Sequence, residues 1–110
     1  MEIIEKEIRF YQTVDCRIPF QEWRDSLEDQ RVRHLVNERL GRLRSGSLGD
    51  YKSIEQGVLE LRLFFGPGYR IYVGYVSSNL ILILSAGDKD SQRQDIRKAL
   101  TYWADYRRRS

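Results

Sequence analysis

The stretch from Glu60 to Tyr75 constrains the fold more than any other part of the chain. It reads Glu60-Leu61-Arg62-Leu63-Phe64-Phe65, then Gly66-Pro67-Gly68, then Tyr69-Arg70-Ile71-Tyr72-Val73-Gly74-Tyr75. Strand side chains alternate between faces with a period of two. Leu59, Leu61, Leu63 and Phe65 therefore share one face, and Glu60, Arg62 and Phe64 share the other. If Phe65 pairs with Tyr69 across a three-residue Gly-Pro-Gly loop, Ile71, Val73 and Tyr75 join the apolar face, while Arg70, Tyr72 and Gly74 join Arg62. The expected product is an apolar core face backed by a free basic and aromatic one, suited to a phosphate backbone.

A further apolar run, Ile81 to Ala86, follows the turn residues Ser77-Ser78-Asn79. A two-residue Ser78-Asn79 turn places Leu82, Leu84 and Ala86 on the core face. It brings Gly87-Asp88-Lys89 beside Arg70, so Arg62, Arg70 and Lys89 converge at one end of the sheet. A one-residue slip would reverse every side chain. The plainer alternative makes these charges solvated, with Glu60 and Asp88 as ion-pair partners.

The rest of the chain supplies the layers for such a sheet. Glu2 to Gln12 reads as a first strand carrying Ile4, Ile8 and Phe10. Pro19 suits a helix start, with Phe20, Trp23 and Leu27 following at helical spacing. Asp29 is a cap for a second helix with the stripe Val32, Leu35, Val36, Leu40 and Leu43. Arg31, Arg33, Arg39, Arg42 and Arg44 decorate its other sides. Ser45 to Asp50 forms a loop. Ser91 with Gln94 resembles a capping box opening a last helix, whose apolar face is Ile96, Ala99, Leu100 and Trp103. The order strand, two helices, three antiparallel strands, helix defines an α+β domain spanning residues 1–110. The helical hairpin is expected over the Leu59–Leu61–Leu63 face and the last helix near the sheet edge.

Composition narrows the function classes. A net charge of +3 permits a nucleic-acid partner without demanding one. The lone cysteine, Cys16, cannot form an internal disulfide and is expected to be a small structural residue. With no secretory leader and no membrane-spanning run, a cytoplasmic protein without a membrane partner is expected. No paired cysteines, two-histidine motif or phosphate-cradling glycine loop is present, so neither a metal nor a cofactor is expected. His34, the single histidine, lies one position off its helix stripe and reads as solvated or helix-pairing rather than catalytic.

Metal-free RNA cleavage needs little more than oriented cations. The RNA's own 2′-hydroxyl attacks the neighbouring phosphorus, and arginine forks neutralise the phosphorane oxygens. Lys52, Arg62, Arg70 and Lys89 are the candidate catalytic residues. Tyr72, placed with the arginines, and Tyr102, off the last helix's stripe, are candidates to stack on a base. Gln92 is a candidate for RNA contact or for capping. Tyr69, Trp23 and Trp103 read as core residues.

Several segments together carry a resemblance. Leu48-Gly49-Asp50-Tyr51-Lys52, Gly57 to Arg62, Gly66 to Tyr72 and Gly87 to Gln92 occur in an order and spacing similar to the RelE/ParE toxins, in the phage-derived addiction module killer protein subgroup close to HigB. It extends to Phe20 to Trp23 and to Ala99 to Trp103. The resemblance implies the RelE-like fold and a type II toxin that cleaves messenger RNA, usually on the ribosome. Its implied partner is a cognate antitoxin, a helix-turn-helix protein from a neighbouring gene. It implies that Arg62 and Arg70 hold the scissile phosphate, that Lys89 stabilises charge or acts as the acid, and that Lys52 binds backbone or assists as base. Two departures stand out: Lys89 replaces the arginine of some relatives, and no histidine falls in the site. A ParE-like toxin binding a DNA topoisomerase, or a non-catalytic RNA-binding remnant, are the alternatives.

Overall fold

The computed structural model describes residues 5–110. Its elements are β1 (Glu7–Phe10), α1 (Pro19–Ser26), α2 (Gln30–Arg44), β2 (Tyr51–Ser53), β3 (Val58–Arg62), β4 (Arg70–Ser77), β5 (Leu80–Gly87) and α3 (Gln92–Arg109). The fold is α+β: one mixed five-stranded sheet, ordered β1-β5-β4-β3-β2, with helices on both faces. The expected strand at Glu2 begins at Glu7; Glu2 to Ile4 lie outside the described residues. Four strands rather than the expected three follow the helices: the additional one is the short edge strand β2, which carries Lys52, expected beside the loop before the hairpin.

Local chemistry explains most boundaries. Pro19 opens α1, where its missing N–H costs nothing. Asp29 caps α2, its carboxylate accepting from the Arg31 amide at 2.9 Å. Ser78 and Asn79 make the two-residue turn between Ser77 and Leu80. At the start of α3, Ser91 makes no cap to the helix. The Asp88 carboxylate instead holds the loop by accepting from the amides of Asp90 (2.9 Å) and Ser91 (3.1 Å).

The β3–β4 hairpin pairs Arg62 with Arg70 and Leu61 with Ile71, leaving a seven-residue connection, Leu63 to Tyr69. The expected pairing of Phe65 with Tyr69 is thus displaced by two residues. An even shift preserves faces, so the two sets of side chains read from the sequence stand. Leu61, Ile71, Val73, Ile81, Ile83 and Ala86 bury the first face against Phe20 of α1 and Val36, Leu40 and Leu43 of α2.

β5 departs from expectation. Tyr72 pairs with Ser85 and Val73 with Ile83, so Leu84 is an inserted residue, a β-bulge. A second irregularity leaves Val76 unpaired between Ser77–Leu80 and Tyr75–Ile81 and turns Leu82 and Leu84 away from the expected face; the Leu84 bulge then returns Ala86 to the first face with Ile83.

That opposite side is not free. α3 lies across it, burying Ala99 and Trp103 against Val58, Tyr72, Leu82 and Leu84, with Tyr11 alongside. The last helix is therefore a full second layer rather than a cover for the sheet edge. It fits because β4 carries Gly74 beneath it: a Cβ there would come within 2.7 Å of the Trp103 ring. The Trp103 indole N–H donates to the Gln56 carbonyl at 2.7 Å. Trp23 packs on the first core and meets Tyr69 edge-on at 5.8 Å, as the core reading of both residues requires. Among the described residues no helix is long and apolar enough to cross a membrane.

Candidate functional site

At the end of the sheet where β3, β4 and the start of α3 meet, one carboxylate organises the surroundings. Glu60 is fully buried. Its Oε2 accepts from the Tyr72 hydroxyl at 3.1 Å and from Gln92 Nε2 at 2.9 Å. Its Oε1 accepts from Arg62 Nε at 3.4 Å. Arg70 Nε lies 3.8 Å from Oε2, close enough for an ion pair and too long for a hydrogen bond. A buried carboxylate is tolerated only with such partners. Burial, and then the Glu60 charge, push the Tyr72 hydroxyl far above its ordinary value. Tyr72 thus stays protonated and donates.

The two arginines differ in exposure. The Arg62 side chain is 40% exposed and the Arg70 side chain 15%. Arg70 Nη1 donates to the Gly68 carbonyl at 2.7 Å, which ties it to the hairpin loop. Glu60 engages both guanidiniums on the Nε side. Among the described residues, Arg62 Nη1 and Nη2 and Arg70 Nη2 make no protein hydrogen bond. Those atoms remain to receive an anion in forked geometry.

The two lysines stand at the rim. Lys52 sits directly across from Glu60 in the β2–β3 pair, on the same face, with its side chain exposed. The Lys89 amide donates to the Pro67 carbonyl at 3.2 Å, fastening the α3 approach to the hairpin loop. Lys89 Cβ and Arg70 Nη1 flank the same point above Gly68, at 3.2 and 3.3 Å from where a Cβ would stand. Gly68, at φ +75°, gives this approach the room it needs.

The two arginines thus meet at Glu60, with Lys52 on the neighbouring strand and Lys89 beside the hairpin loop, but the three other candidates do not behave as expected. Tyr72 is fully buried beneath α3, so it is a support for Glu60 and not a stacking platform. Gln92 is engaged with Glu60. Tyr102 lies ten residues further along α3, about 15 Å away at helical rise. It stacks on Tyr11 with ring centroids 4.9 Å apart and lines a separate cleft of about 540 Å³ between α1 and α3. Asp88 supports a turn and, among the described residues, pairs with neither lysine nor arginine. Cys16 is exposed in the turn before α1, at φ +66°, and is not a packed residue. His34 is exposed and pairs with Glu38 one turn on, at 2.9 Å.

Two residues escaped the sequence reading. Glu60 looked like a surface partner because its face was taken as open; its placement between Leu59 and Leu61, two residues from Arg62 and across from Tyr72, is the signal for a buried hub. Arg39 was grouped with the solvated arginines, yet only 3% of it is exposed. It lies three residues from Val36 and four from Leu43, both buried, so helical spacing alone places it on the inward side.

No family model matches the chain. It is 38% identical over 86 residues to an uncharacterized protein of Haemophilus influenzae, across 78% of this chain and 87% of that one. The chain belongs to the same family as that protein.

Proposed function

We propose that the chain is the toxin of a type II toxin–antitoxin pair, a metal-free endoribonuclease that cuts messenger RNA in association with the ribosome. The observation that carries this reading is the pair of guanidiniums anchored by one buried carboxylate, with Nη donors left over and two lysines at the rim. The α+β order and the similarity to RelE/ParE toxins support it.

In this reading Arg62 and Arg70 grip the non-bridging oxygens of the scissile phosphate. The 2′-hydroxyl attacks phosphorus and loses its proton, the bond to the 5′-oxygen breaks, and that oxygen takes up a proton. The products are a 2′,3′-cyclic phosphate and a 5′-hydroxyl end. Lys89, beside Arg70, stabilises the developing charge or supplies the proton. Lys52, across from Glu60, holds the backbone or assists as base. Glu60 touches no reacting atom; it fixes the arginines, as Tyr72 and Gln92 fix it. The antitoxin is expected to present an acidic segment to these cations.

The test is cleavage of a message on programmed ribosomes. Arg62→Ala should melt with the wild type and cut roughly 100- to 1000-fold more slowly. A folded Arg62→Ala protein cutting at the wild-type rate overturns the assignment. Early DNA breaks with intact messages on induction would replace it with topoisomerase inhibition.

A further inference from the structure

Arg39 is a buried cation with, among the described residues, no carboxylate in contact; Asp50 acts on it only from longer range. Among the described residues no carboxylate lies within ion-pairing distance of it. Its Nη2 donates to the Leu48 carbonyl and, at 3.4 Å, to the Asp50 carbonyl. Its Nη1 is buried with no acceptor among the described residues. Buried guanidiniums are ordinarily paired, and an orphaned charged donor is costly. Burial, and then the nearby Arg42, lower its affinity for its proton. The loop backbone presses on the guanidinium, since a Cβ on Gly49 would stand 2.7 Å from Nη2. The fold therefore holds this incompletely compensated group in place.

Arg39 forms part of the wall of a groove of about 410 Å³ between α2 and the β3–β4 loop. Arg42 and Arg62 line the same groove, and Arg62 also belongs to the cationic site described above. Leu35 and Phe64 supply an apolar lip, and Phe64 is 87% exposed on its loop. Glu38 and Asp50 are the carboxylates there; Glu38 is turned to His34.

We infer that this groove is a second subsite for single-stranded RNA: it takes the phosphate of a nucleotide flanking the one held at Arg62 and Arg70, and that nucleotide's base stacks on Phe64. The inference rests on the endoribonuclease reading. Arg62 makes the two sites continuous, and an exposed aromatic beside guanidiniums is the usual platform for an unstacked base. A single phosphate reaching Arg39 supplies at depth the contacting anion that Asp50, at longer range, does not. An acidic peptide would instead bring several charges past Glu38 and Asp50.

A 2′-O-methyl trinucleotide, which lacks the attacking hydroxyl, provides the probe. NMR titration of the whole chain should show saturable shifts at the Arg39 Nε–H and the Phe64 ring. Phe64→Ala and Arg42→Gln, both at exposed positions, should each weaken binding roughly tenfold without moving the thermal melt. If the probe shifts Arg70 but leaves Arg39 and Phe64 unmoved, and both variants bind as wild type, the subsite is wrong while the endoribonuclease reading survives. If a glutamate-rich peptide saturates the Arg39 signal and the trinucleotide does not, the groove is a protein-binding site and the inference falls. If the trinucleotide binds nowhere and programmed ribosomes are not cut, both readings fall together.

Discussion

Replacing Glu60 by glutamine keeps the shape of the buried side chain and removes its charge, so it isolates what the carboxylate does. Four donors converge on its two oxygens: the Tyr72 hydroxyl, Gln92 Nε2, Arg62 Nε and, at 3.8 Å, Arg70 Nε. An amide offers one oxygen and one N–H₂ group. With its oxygen in the Oε2 position it still satisfies Tyr72 and Gln92, and its nitrogen then opposes Arg62. Arg62 is exposed enough to turn to water, which limits its share to about 0.5 kcal/mol. Arg70 is not, and among the described residues it loses its one ion-pair partner; stranding a mostly buried charge in this way should cost about 2 kcal/mol, below the full cost for a wholly buried pair. The expected loss is about 2–3 kcal/mol. At roughly 4 °C per kcal/mol for a chain of this size, the melting temperature should fall by about 10 °C. Circular dichroism melts of wild type, Glu60→Gln, Arg70→Gln and the double variant measure it. The double variant should cost less than the sum of the singles by about 1 kcal/mol or more, because each single strands the other partner. Additive effects, or a Glu60→Gln melt within about 2 °C of wild type, would refute the claim that this carboxylate holds the arginines.

Three further outcomes are expected. Burial raises the pKa of Asp95, outweighing the Ser91 hydroxyl that lowers it, so the folded chain takes up this proton more readily than the unfolded one. Its contribution is present at acid pH and is lost as pH rises through the raised value; Asp95→Asn should therefore gain stability relative to wild type between pH 4 and 7, and a pH-independent difference in melts would contradict this. Gly74→Ala sets a methyl 2.7 Å from the rigid Trp103 ring and should cost about 1–3 kcal/mol by urea unfolding. Leu61→Ala, fully buried in the first core, should cost about 2–5 kcal/mol and lower RNA cleavage only in proportion to the unfolded fraction.

Local signals in the sequence proved dependable where one residue decides the outcome. Asp29 as a cap, Pro19 at a helix start and Ser78-Asn79 as a turn each depend on near-neighbour backbone chemistry. The faces of β3 and β4 were legible because the register error was even. The irregularities at Val76 and Leu84 were not: each inserted residue changes parity, and four consecutive apolar residues from Ile81 to Leu84 give no alternation to expose them. The position of α3 escaped for a related reason. Glu60, Tyr72 and Arg70 read as a wet face because polarity was taken for exposure, whereas a closed network lets a carboxylate, a phenol and an amide share a buried layer. The placement of Arg62 and Arg70 together at one end of the sheet was legible from pattern, but what orients them was not. That required knowing which element lies above the sheet.

The parallel pairing of β1 with β5 has a temporal side. Glu7 to Phe10 find their partners at Leu80 to Ile83, more than seventy residues later. The ribosome makes β1 first, yet β1 has no strand to join until nearly all of the sheet has been synthesised. α1 and α2 likewise emerge before the strands whose apolar face they cover. Lys89 and Gln92 come later still. A chain interrupted before β5 thus lacks the strand that joins β1 to the rest of the sheet, and closing the sheet must wait until β5 has been made. For a protein proposed to attack translation, the order of synthesis itself postpones assembly of the cationic site until the codons for Lys89 and Gln92 have been read.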